Sequence, residues 1–580
     1  MGLDMVKLLR INMKTRQFEI EELKAEYIML GGRALTGKII LDEVDSTCHP
    51  LESKNKIIFA NGLFVGSSFP CAGRLSVGAK SPLTGGIKES NVGGVAATRM
   101  SHLGLRAIVI EEIPEDDDLF VLVISKENVE FVNAAELKGL GNYETVAKLM
   151  EKWGNKIATL TIGPAGEMRL AAASIASNDL SGRPSRHAGR GGMGAVLGSK
   201  KIKALVLLRP DAPEQEPIEH LEEFNRINRE FNKLLIPKKR ALTIYGTAGL
   251  INVANEVGGL PTKNFRFGRF DQAQEIGGEH MYDVITNRPN GIPTESCLPG
   301  CVIRCSNVYV DQEGNYITAG LEYETIALNG SNLLIGDLDK IAQIDRTCDD
   351  IGLDSIEMGN AMAVAMEAGL LEWGDADGVL ALLREVAEGT IKGKLIASGS
   401  ALAGKVLGVT RVPQCKGQGF AAYDPRVFKA MGVTYATSPM GADHTSGPAI
   451  AGRTGWSPDK NYGELTDSEG KVELCRELQI MVSICDAFGF CYFVGPDRWV
   501  MEHVVKAINA KYDWEFNFEK LIQYGKRILL NEHEFNAKAG VPQIFRLPSF
   551  FYEETIPPLN KKFDIMPEKL KKVTDFFKEK

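Results

Sequence analysis

No stretch of this chain approaches the ~20 consecutive apolar residues that a membrane span requires. The opening, MGLDMVKLLRINMKTRQFEIEEL, alternates charged and apolar residues and lacks the apolar core of a signal peptide. Neither a membrane role nor export is expected, and the chain reads as cytoplasmic. Positive charge is also in short supply. Lys and Arg number 67 against 75 Asp and Glu, giving a formal net charge of −8. That argues against a general nucleic-acid binder while leaving room for a local basic pocket. Ten cysteines in 580 residues are far too few for a disulfide scaffold. Internal repeats and low-complexity tracts are missing as well. What remains is an ordinary globular balance, 44% hydrophobic and 24% charged, in a chain long enough to need two to four domains.

The first ~210 residues are rich in strand patterns. Period-two alternation or short apolar runs predict strands at Lys7–Met13, Phe18–Leu23, Lys56–Ala60, Ala107–Glu112, Phe120–Ser125 and Lys201–Leu208. Glycine-rich connections, Leu83–Gly94 and Ala188–Gly198 among them, lie between these strands. After Pro210-Asp211-Ala212-Pro213 the period changes. Helices are predicted at Ile218–Leu235, Leu338–Cys348, Ser355–Leu371, Ala376–Ile391, Val472–Ile484, Asp497–Ile508 and Pro567–Lys580. The expected class is α+β: a β-rich domain over 1–210, then two mainly helical domains over 211–410 and 411–580, with the functional centre between them. Many of the 60 glycines sit in short loops beside polar residues, as backbone approaching a large ligand would require.

Three cysteines crowd into nine residues, Cys297-Leu-Pro-Gly-Cys301-Val-Ile-Arg-Cys305. In a reducing compartment such a cluster points to metal before disulfides. On an unbroken helix the outer two thiols would be ~12 Å apart along the axis, too far for neighbouring corners of one cubane. Pro299 and Gly300 favour a turn that folds the thiols around one centre. A [4Fe–4S] cluster wants a fourth thiolate from elsewhere. Zinc and plain burial remain alternatives, although zinc usually comes with a second cysteine pair or histidines. A radical-SAM spacing is excluded, because the second gap is one residue too long.

Two segments share the pattern D-x-x-G-apolar-polar: Asp349-Asp350-Ile351-Gly352-Leu353-Asp354 and Asp486-Ala487-Phe488-Gly489-Phe490-Cys491. Each follows a predicted helix, and a left-handed glycine that ends the helix explains either one alone. As a pair they suggest carboxylates that accept paired N–H bonds from two aminopyrimidine rings. The second also brings Cys491, a natural fourth cluster ligand.

Over nearly its whole length the chain resembles the aldehyde:ferredoxin oxidoreductase family. The resemblance rests on Gly73-Arg74-Leu75-Ser76 with Lys80-Ser81-Pro82-Leu83-Thr84-Gly85, on Ala188-Gly189-Arg190-Gly191-Gly192 through Gly198-Ser199-Lys200-Lys201, and on Leu260-Pro261-Thr262-Lys263-Asn264-Phe265. It continues through the cysteine triplet, Glu322-Tyr323-Glu324-Thr325, both D-x-x-G loops and Gly441-Ala442-Asp443-His444. It implies a tungsten (or molybdenum) bis-pterin, a Mg2+ bridging the pterin phosphates, and one [4Fe–4S] cluster. By the same resemblance Asp349 and Asp486, with Leu353, Asp354 and Phe490 of the same loops, would hold the pterins. Arg74, Asn91, Gly93 and Arg186, His187, Ala188 and Gly189 would hold phosphates and magnesium, and Cys297, Cys301, Cys305 and Cys491 the cluster. Glu322 and His444 would be catalytic.

Three departures from the family pattern stand out. The triplet is C-x3-C-x3-C where well-known members have C-x2-C-x3-C. Gln343 stands near the glutamate of the Glu-x-x-His pairs that hold a single iron between two subunits, and no histidine occurs between His280 and His444. Pro439-Met440 precedes Gly441 where relatives often carry arginine. The expected activity is oxidation of an aldehyde with water to a carboxylic acid, electrons leaving to ferredoxin or to a cysteine-rich iron–sulfur subunit. The expected assembly is a hetero-oligomer rather than an iron-bridged homodimer. Rival readings are a low-potential reductase of aryl-thioester type in a larger complex and a non-catalytic cluster-bearing scaffold.

Overall fold

The computed structural model describes residues 6–450, 452–457 and 459–578; residues 1–5 of the opening and 579–580 of the last predicted helix lie outside them. Twelve strands of the first 207 residues form two sheets. β1 (Lys7–Asn12), β2 (Gln17–Glu22), β3 (Ile57–Asn61), β4 (Leu75–Lys80), β5 (Ile87–Val92) and β6 (Leu105–Glu111) pair in the order β2-β1-β6-β3-β4-β5. β7 (Phe120–Ile124), β8 (Val129–Asn133), β9 (Ala158–Thr161), β10 (Ile175–Ser177), β11 (Arg186–Ala188) and β12 (Ile202–Leu207) pair in the order β11-β10-β9-β12-β7-β8.

Side-chain alternation decides how the sheets stack. Leu9, Ile11, Ile57, Phe59, Ile108 and Ile110 of the first sheet pack with Leu122, Ile124, Leu160, Leu205 and Leu207 of the second. Their neighbours Leu8, Ile58, Ala60, Ala107 and Val109 point the other way, onto Leu35, Ile39 and Ile40 of the helix Gly32–Glu43. The sheets thus form a sandwich with helices on its outer faces. Helices prevail from Leu221 onward, and one buried cluster runs through them from Phe224 to Val573.

The six predicted strands and the first six predicted helices are present within a few residues of their expected ends. Five departures stand out. The connection Leu83–Gly94 contains β5, whose sequence IKESNV has no apolar alternation because its polar side chains are buried in the interior. Ala188–Gly198 contains most of the helix Met193–Ser199. The helix predicted over Ala376–Ile391 stops at Glu388, where Gly389 is left-handed (φ 72°) and Thr390 caps a new helix, Ile391–Ile396. The last predicted helix is only Pro567–Leu570 followed by a 3-10 stretch. A 21-residue helix, Phe518–Lys538, has no counterpart in the sequence reading. Its Gly525, a weak helix former, is where it presses on the helix Lys471–Phe488: a Cβ there would lie 2.8 Å from the Ile480 carbonyl oxygen.

Candidate active site

The cysteine triplet lies between two antiparallel strands, Ile292–Glu295 and Ser306–Val310. Leu298-Pro299-Gly300-Cys301 turns as expected, with Gly300 left-handed (φ 74°) and Cys301 N–H donating to the Leu298 carbonyl at 3.4 Å. The turn is clamped from two sides. Gly94 N–H donates to the Cys297 carbonyl at 2.8 Å, and Cys71 N–H to the Gly300 carbonyl at 3.1 Å. Cys71 in turn accepts from Cys491 N–H at 3.0 Å, and Arg74 N–H donates to the Gly489 carbonyl at 3.1 Å. The short segment 71–74 therefore stitches the triplet to the second D-x-x-G loop. In sequence Cys71 lies far from the triplet. Here Cys71 and Cys297 both stand beside the Cys301 thiol.

Both D-x-x-G loops end their helices on left-handed glycines, Gly352 (φ 78°) after Leu338–Ile351 and Gly489 (φ 83°) after Lys471–Phe488. Each also docks on one sheet of the sandwich. Beyond β9, a Cβ on Gly163 would sit 2.2 Å from the Ile351 carbonyl oxygen, and Ser174 N–H donates to the Gly352 carbonyl at 2.9 Å. Beyond β3, a Cβ on Gly62 would sit 2.1 Å from the Gly489 nitrogen, and Leu63 N–H donates to the Ala487 carbonyl at 3.2 Å. Side chains at these two positions would push the loops off the sheets.

Between the loops lies a cavity of about 300 Å³. Arg74, Asn91, Gly93, Arg186, His187, Gly189, Asp349, Leu353, Asp354 and Asp486 line it, together with Cys297, Cys301, Cys305, Cys491, Glu322 and His444. Two expected residues do not. Ala188 is buried in the strand β11 and packs in the sandwich core. The Phe490 ring is held among Phe64, Phe69 and Phe488, because its neighbour Gly489 turns the chain and buries it. The sequence reading missed Glu89, Arg190, Asp345, Tyr423, Tyr492 and Phe493, which also line the cavity. For Glu89 a signal existed, since Lys88-Glu89-Ser90-Asn91 is a polar run in a strand next to a glycine loop. Tyr423, Tyr492 and Phe493 carried none, being aromatic residues like any in a core.

Electrostatics divide the walls. Arg186 is fully buried, and its Nε and Nη2 have no hydrogen-bond partner. Its nearest carboxylates, Glu295 and Asp179, stand 3.7 and 4.0 Å away. Gly320 (φ 81°) makes room for it, as a Cβ there would lie 2.4 Å from Nη1. Arg74 donates to the Asn91 carbonyl at 3.1 Å and to its side-chain oxygen. Asp349 lies 3.1 Å from His187 Nε2. Asp486 accepts from Arg33 Nη1 at 3.1 Å, while Arg33 Nε donates to Glu532 at 2.7 Å. Burial and the nearby Glu89 outweigh Arg33 and raise the Asp486 carboxyl to about 8. Burial also raises Glu322, against the pull of Arg186 and Arg74. For Asp443 burial acts the same way, but Lys88 and Arg190 overcome it and hold the carboxyl well below its usual range.

His444 opens a 3-10 turn capped by Asp443, whose side chain accepts from Thr445 N–H at 3.0 Å. Its Nε2 stands 3.4 Å from Glu324 Oε1, and its Nδ1 is buried without a partner. Glu322 sits at the N-cap of the helix Tyr323–Asn329 and faces the same space.

The walls fit the groups the sequence suggested. Buried donors left unpaired are costly, so Arg186 Nε and Nη2 call for an anion. Nothing lies within 4 Å of a Cβ built on Gly189, so backbone there is open to a ligand. Cys297, Cys301, Cys305 and Cys491 all line the same cavity, the donor set that an iron–sulfur cluster takes. Among the described residues, no three His, Cys, Asp or Glu side chains converge as the ligands of one metal ion do. A [4Fe–4S] cluster draws its thiolates from four separate corners, a wider spread.

Two family models match the chain: the aldehyde ferredoxin oxidoreductase N-terminal domain over residues 8–209, and domains 2 and 3 of the same enzyme over 224–578. The chain is 33% identical to a tungsten-containing aldehyde ferredoxin oxidoreductase of Thermococcus kodakarensis, covering 95% of this chain and 92% of the relative. It is 32% identical to the protein of that description from Pyrococcus furiosus, with the same coverage. It is 27% identical to the WOR-like subunit of an aliphatic sulfonate oxidoreductase of Pyrococcus furiosus, over 80% of this chain and 77% of that one. Among solved structures, the active-site complex BamBC of benzoyl coenzyme A reductase superposes with a TM-score of 0.80 at 20% identity, covering all of this chain and 94% of that one.

Proposed function

The chain belongs to the aldehyde ferredoxin oxidoreductase family, and from that premise we propose that it oxidises aldehydes with water to carboxylic acids, releasing two electrons and two protons. The observation that carries the reading is one cavity walled by Glu322, His444, both D-x-x-G aspartates and four cysteines. A tungsten (or molybdenum) bis-pterin bound there supplies the two-electron acceptor. Asp349 and Asp486 would hold the pterin rings. Arg186, Arg74, Asn91, Gly93 and Gly189 would hold the phosphates and their Mg2+ through charge-assisted bonds and open backbone. Cys297, Cys301, Cys305 and Cys491 would hold one [4Fe–4S] cluster, from which electrons leave singly to ferredoxin or to a cysteine-rich iron–sulfur subunit.

Within this reading Glu322 takes the proton of the attacking water. Removed from bulk solvent, its carboxylate is a stronger base than in water, and Arg186 and Arg74 keep the charged form accessible. His444 donates a hydrogen bond to the carbonyl oxygen, with Glu324 behind its ring to fix its orientation. Tyr423 and Tyr492 stand beside that ring with centroids 6.1 and 6.4 Å away and exclude water. The position three residues after Gln343 is Arg346, which stacks on Tyr143 at 3.3 Å and donates to the Ile317 carbonyl. That side chain is committed to the fold, and an arginine offers no ligand to an iron shared between two copies of the chain.

Anaerobic purification with metal analysis, followed by an aldehyde panel with viologen dye, tests the reading. About four irons and one tungsten or molybdenum per chain are expected, with dye reduction by aldehyde. Glu322→Gln should retain all metals and lose ~10²–10⁴ in rate. Near-normal turnover in that variant removes Glu322 from the mechanism, and a chain holding iron without tungsten or molybdenum is a scaffold.

A further inference from the structure

Lys88 is fully buried, yet it lines no part of the cavity. It stands on β5, and its Nζ donates to Asp443 Oδ2 in the loop that carries His444. Its stem threads past Gly191, whose left-handed backbone (φ 83°) leaves the room: a Cβ there would lie 2.4 Å from Lys88 Cγ. The same strand reaches the same loop twice more. Glu89 N–H donates to Met440 Sδ at 3.2 Å. Ile87 N–H donates to Asn536 Oδ1 at 2.8 Å, and Asn536 Nδ2 to the Pro439 carbonyl at 2.7 Å. From beyond β11, Arg190 donates to the Ala442 carbonyl at 2.7 Å. Both sheets of the sandwich thus grip the segment that leads into His444.

The Asp443 carboxylate divides its two oxygens. Oδ1 accepts from Thr445 N–H at 3.0 Å and from Thr445 Oγ1 at 2.8 Å, which closes the turn around His444, while Oδ2 takes Lys88. The imidazole itself is held more loosely. Its Nε2 is 3.4 Å from Glu324, and its Nδ1 is 4.0 Å from Asp443 Oδ1 and has no hydrogen-bond partner. The aim of the ring therefore comes from the turn beneath it. Stability alone accounts poorly for Lys88, because desolvation offsets most of what a buried ion pair gains. Lys200 and Lys203 are as deeply buried, and they donate to the carbonyls of Asn55 at 2.5 Å and Leu140 at 2.7 Å, within the sandwich. Lys88 alone of the three directs its ammonium at a loop beyond it.

We propose that Lys88 is a positioning residue: through Asp443 it fixes the turn that aims the His444 imidazole into the cavity. The inference rests on the aldehyde-oxidising reading, in which His444 donates to the carbonyl oxygen. Such a donor acts only while it stays within hydrogen-bond reach of the reacting atom. Without the ammonium, the Asp443 carboxylate is a buried charge short of a partner, and it moves to recover one, drawing the turn with it.

The test compares metallated holoenzymes. Lys88→Met with its metals retained should lose about 10–100-fold in kcat, the scale of a misplacement of about 1 Å, while KM stays within about twofold. In an Asp443→Asn background the same change should cost less than about twofold more, since Lys88 acts through that carboxylate. Lys203→Met removes an equally buried lysine and should lower the melting temperature without changing kcat. Unchanged kcat in Lys88→Met overturns the proposal, as do losses that multiply in the double variant, a loss confined to KM, or an equal loss in Lys203→Met. A second measurement needs neither metal nor turnover. In chains produced without tungsten or molybdenum, diethyl pyrocarbonate should label His444 at least about fivefold faster in Lys88→Met than in the unaltered chain or Lys203→Met, because the turn is released. Labelling is read from the mass of the peptide that bears His444, and equal rates overturn the proposal. If the unaltered, fully metallated enzyme oxidises no aldehyde, the function reading falls, and the labelling still judges the tie between Lys88 and the turn.

Discussion

The two D-x-x-G loops share a sequence pattern, a left-handed glycine and a sheet apiece, yet their surroundings differ. Asp349 lies opposite His187 and is 13% exposed, on the side of the second sheet. Asp486, 11% exposed, is tied instead to Arg33, which is tied to Glu532, these last two all but sealed from water, and its loop carries Cys491. The first loop is a docking point; the second also joins the cluster ligands to both ends of the chain. Equal motifs do not imply equal roles, because what a carboxylate does depends on which charges share its burial.

The sharpest way to break this comparison is through cysteine. Cys348 and Cys485 each precede their loop's aspartate and are fully buried. Cys491→Ser should lose most of the iron, measured per chain with the visible absorbance, while Cys348→Ser and Cys485→Ser keep it. Iron loss from Cys348→Ser would show that the first loop reaches the cluster too.

Next comes stability. Arg33→Ala leaves Glu532 buried without its cation, which costs about 3–5 kcal/mol, against about 1 kcal/mol or less for His187→Ala. Denaturant midpoints of the two variants measured side by side check the ratio, and similar losses would erase the distinction.

A smaller effect tests what the loops have in common. Gly62→Ala places a Cβ 2.1 Å from the Gly489 nitrogen, and Gly163→Ala one 2.2 Å from the Ile351 carbonyl oxygen. Each should cost about 1–3 kcal/mol through the same overpacking, read as matched falls in melting temperature.

The last test reads a slope, small at any one pH step. Because the folded Asp486 carboxyl is raised to about 8 from an unfolded value of about 4, the native state holds the proton more tightly. Its contribution is fully present below the unfolded value and is lost as pH rises toward 8, by up to about 1.4 kcal/mol per pH unit. In the chain produced without tungsten or molybdenum, stability between pH 5.5 and 8 should fall, and Asp486→Asn should flatten the fall. An unchanged slope in the variant would assign the proton to Glu89.

Much of this was legible in sequence because local rules and long-range packing agreed. Strands such as β6 and β12 alternate or run apolar, Pro299-Gly300 can hardly avoid a turn, and Gly352 and Gly489 end helices as glycine does. The hidden parts are those where the interior is polar. β5 has the look of a loop because both its faces are buried and carry polar side chains, Lys88 on one and Glu89 on the other, and Phe518–Lys538 is masked by Gly525 and a charged surface. At the site, residues with distinctive chemistry were named in advance and sixteen of the eighteen line the cavity. Ala188 and Phe490 were carried along by their neighbours, and the aromatic wall of Tyr423, Tyr492 and Phe493 has no signature apart from its fold.

The Arg33–Glu532 pair also sets a clock. Its partners are 499 residues apart, and a chain made at about 5–20 residues per second completes the second roughly 25 to 100 s after the first. Throughout that interval the N-terminal sandwich can already be folded, with Arg33 waiting for both of its carboxylates. Half of the cavity is therefore built long before the other half exists, and the nascent protein cannot enclose anything between them until Glu532 has been made.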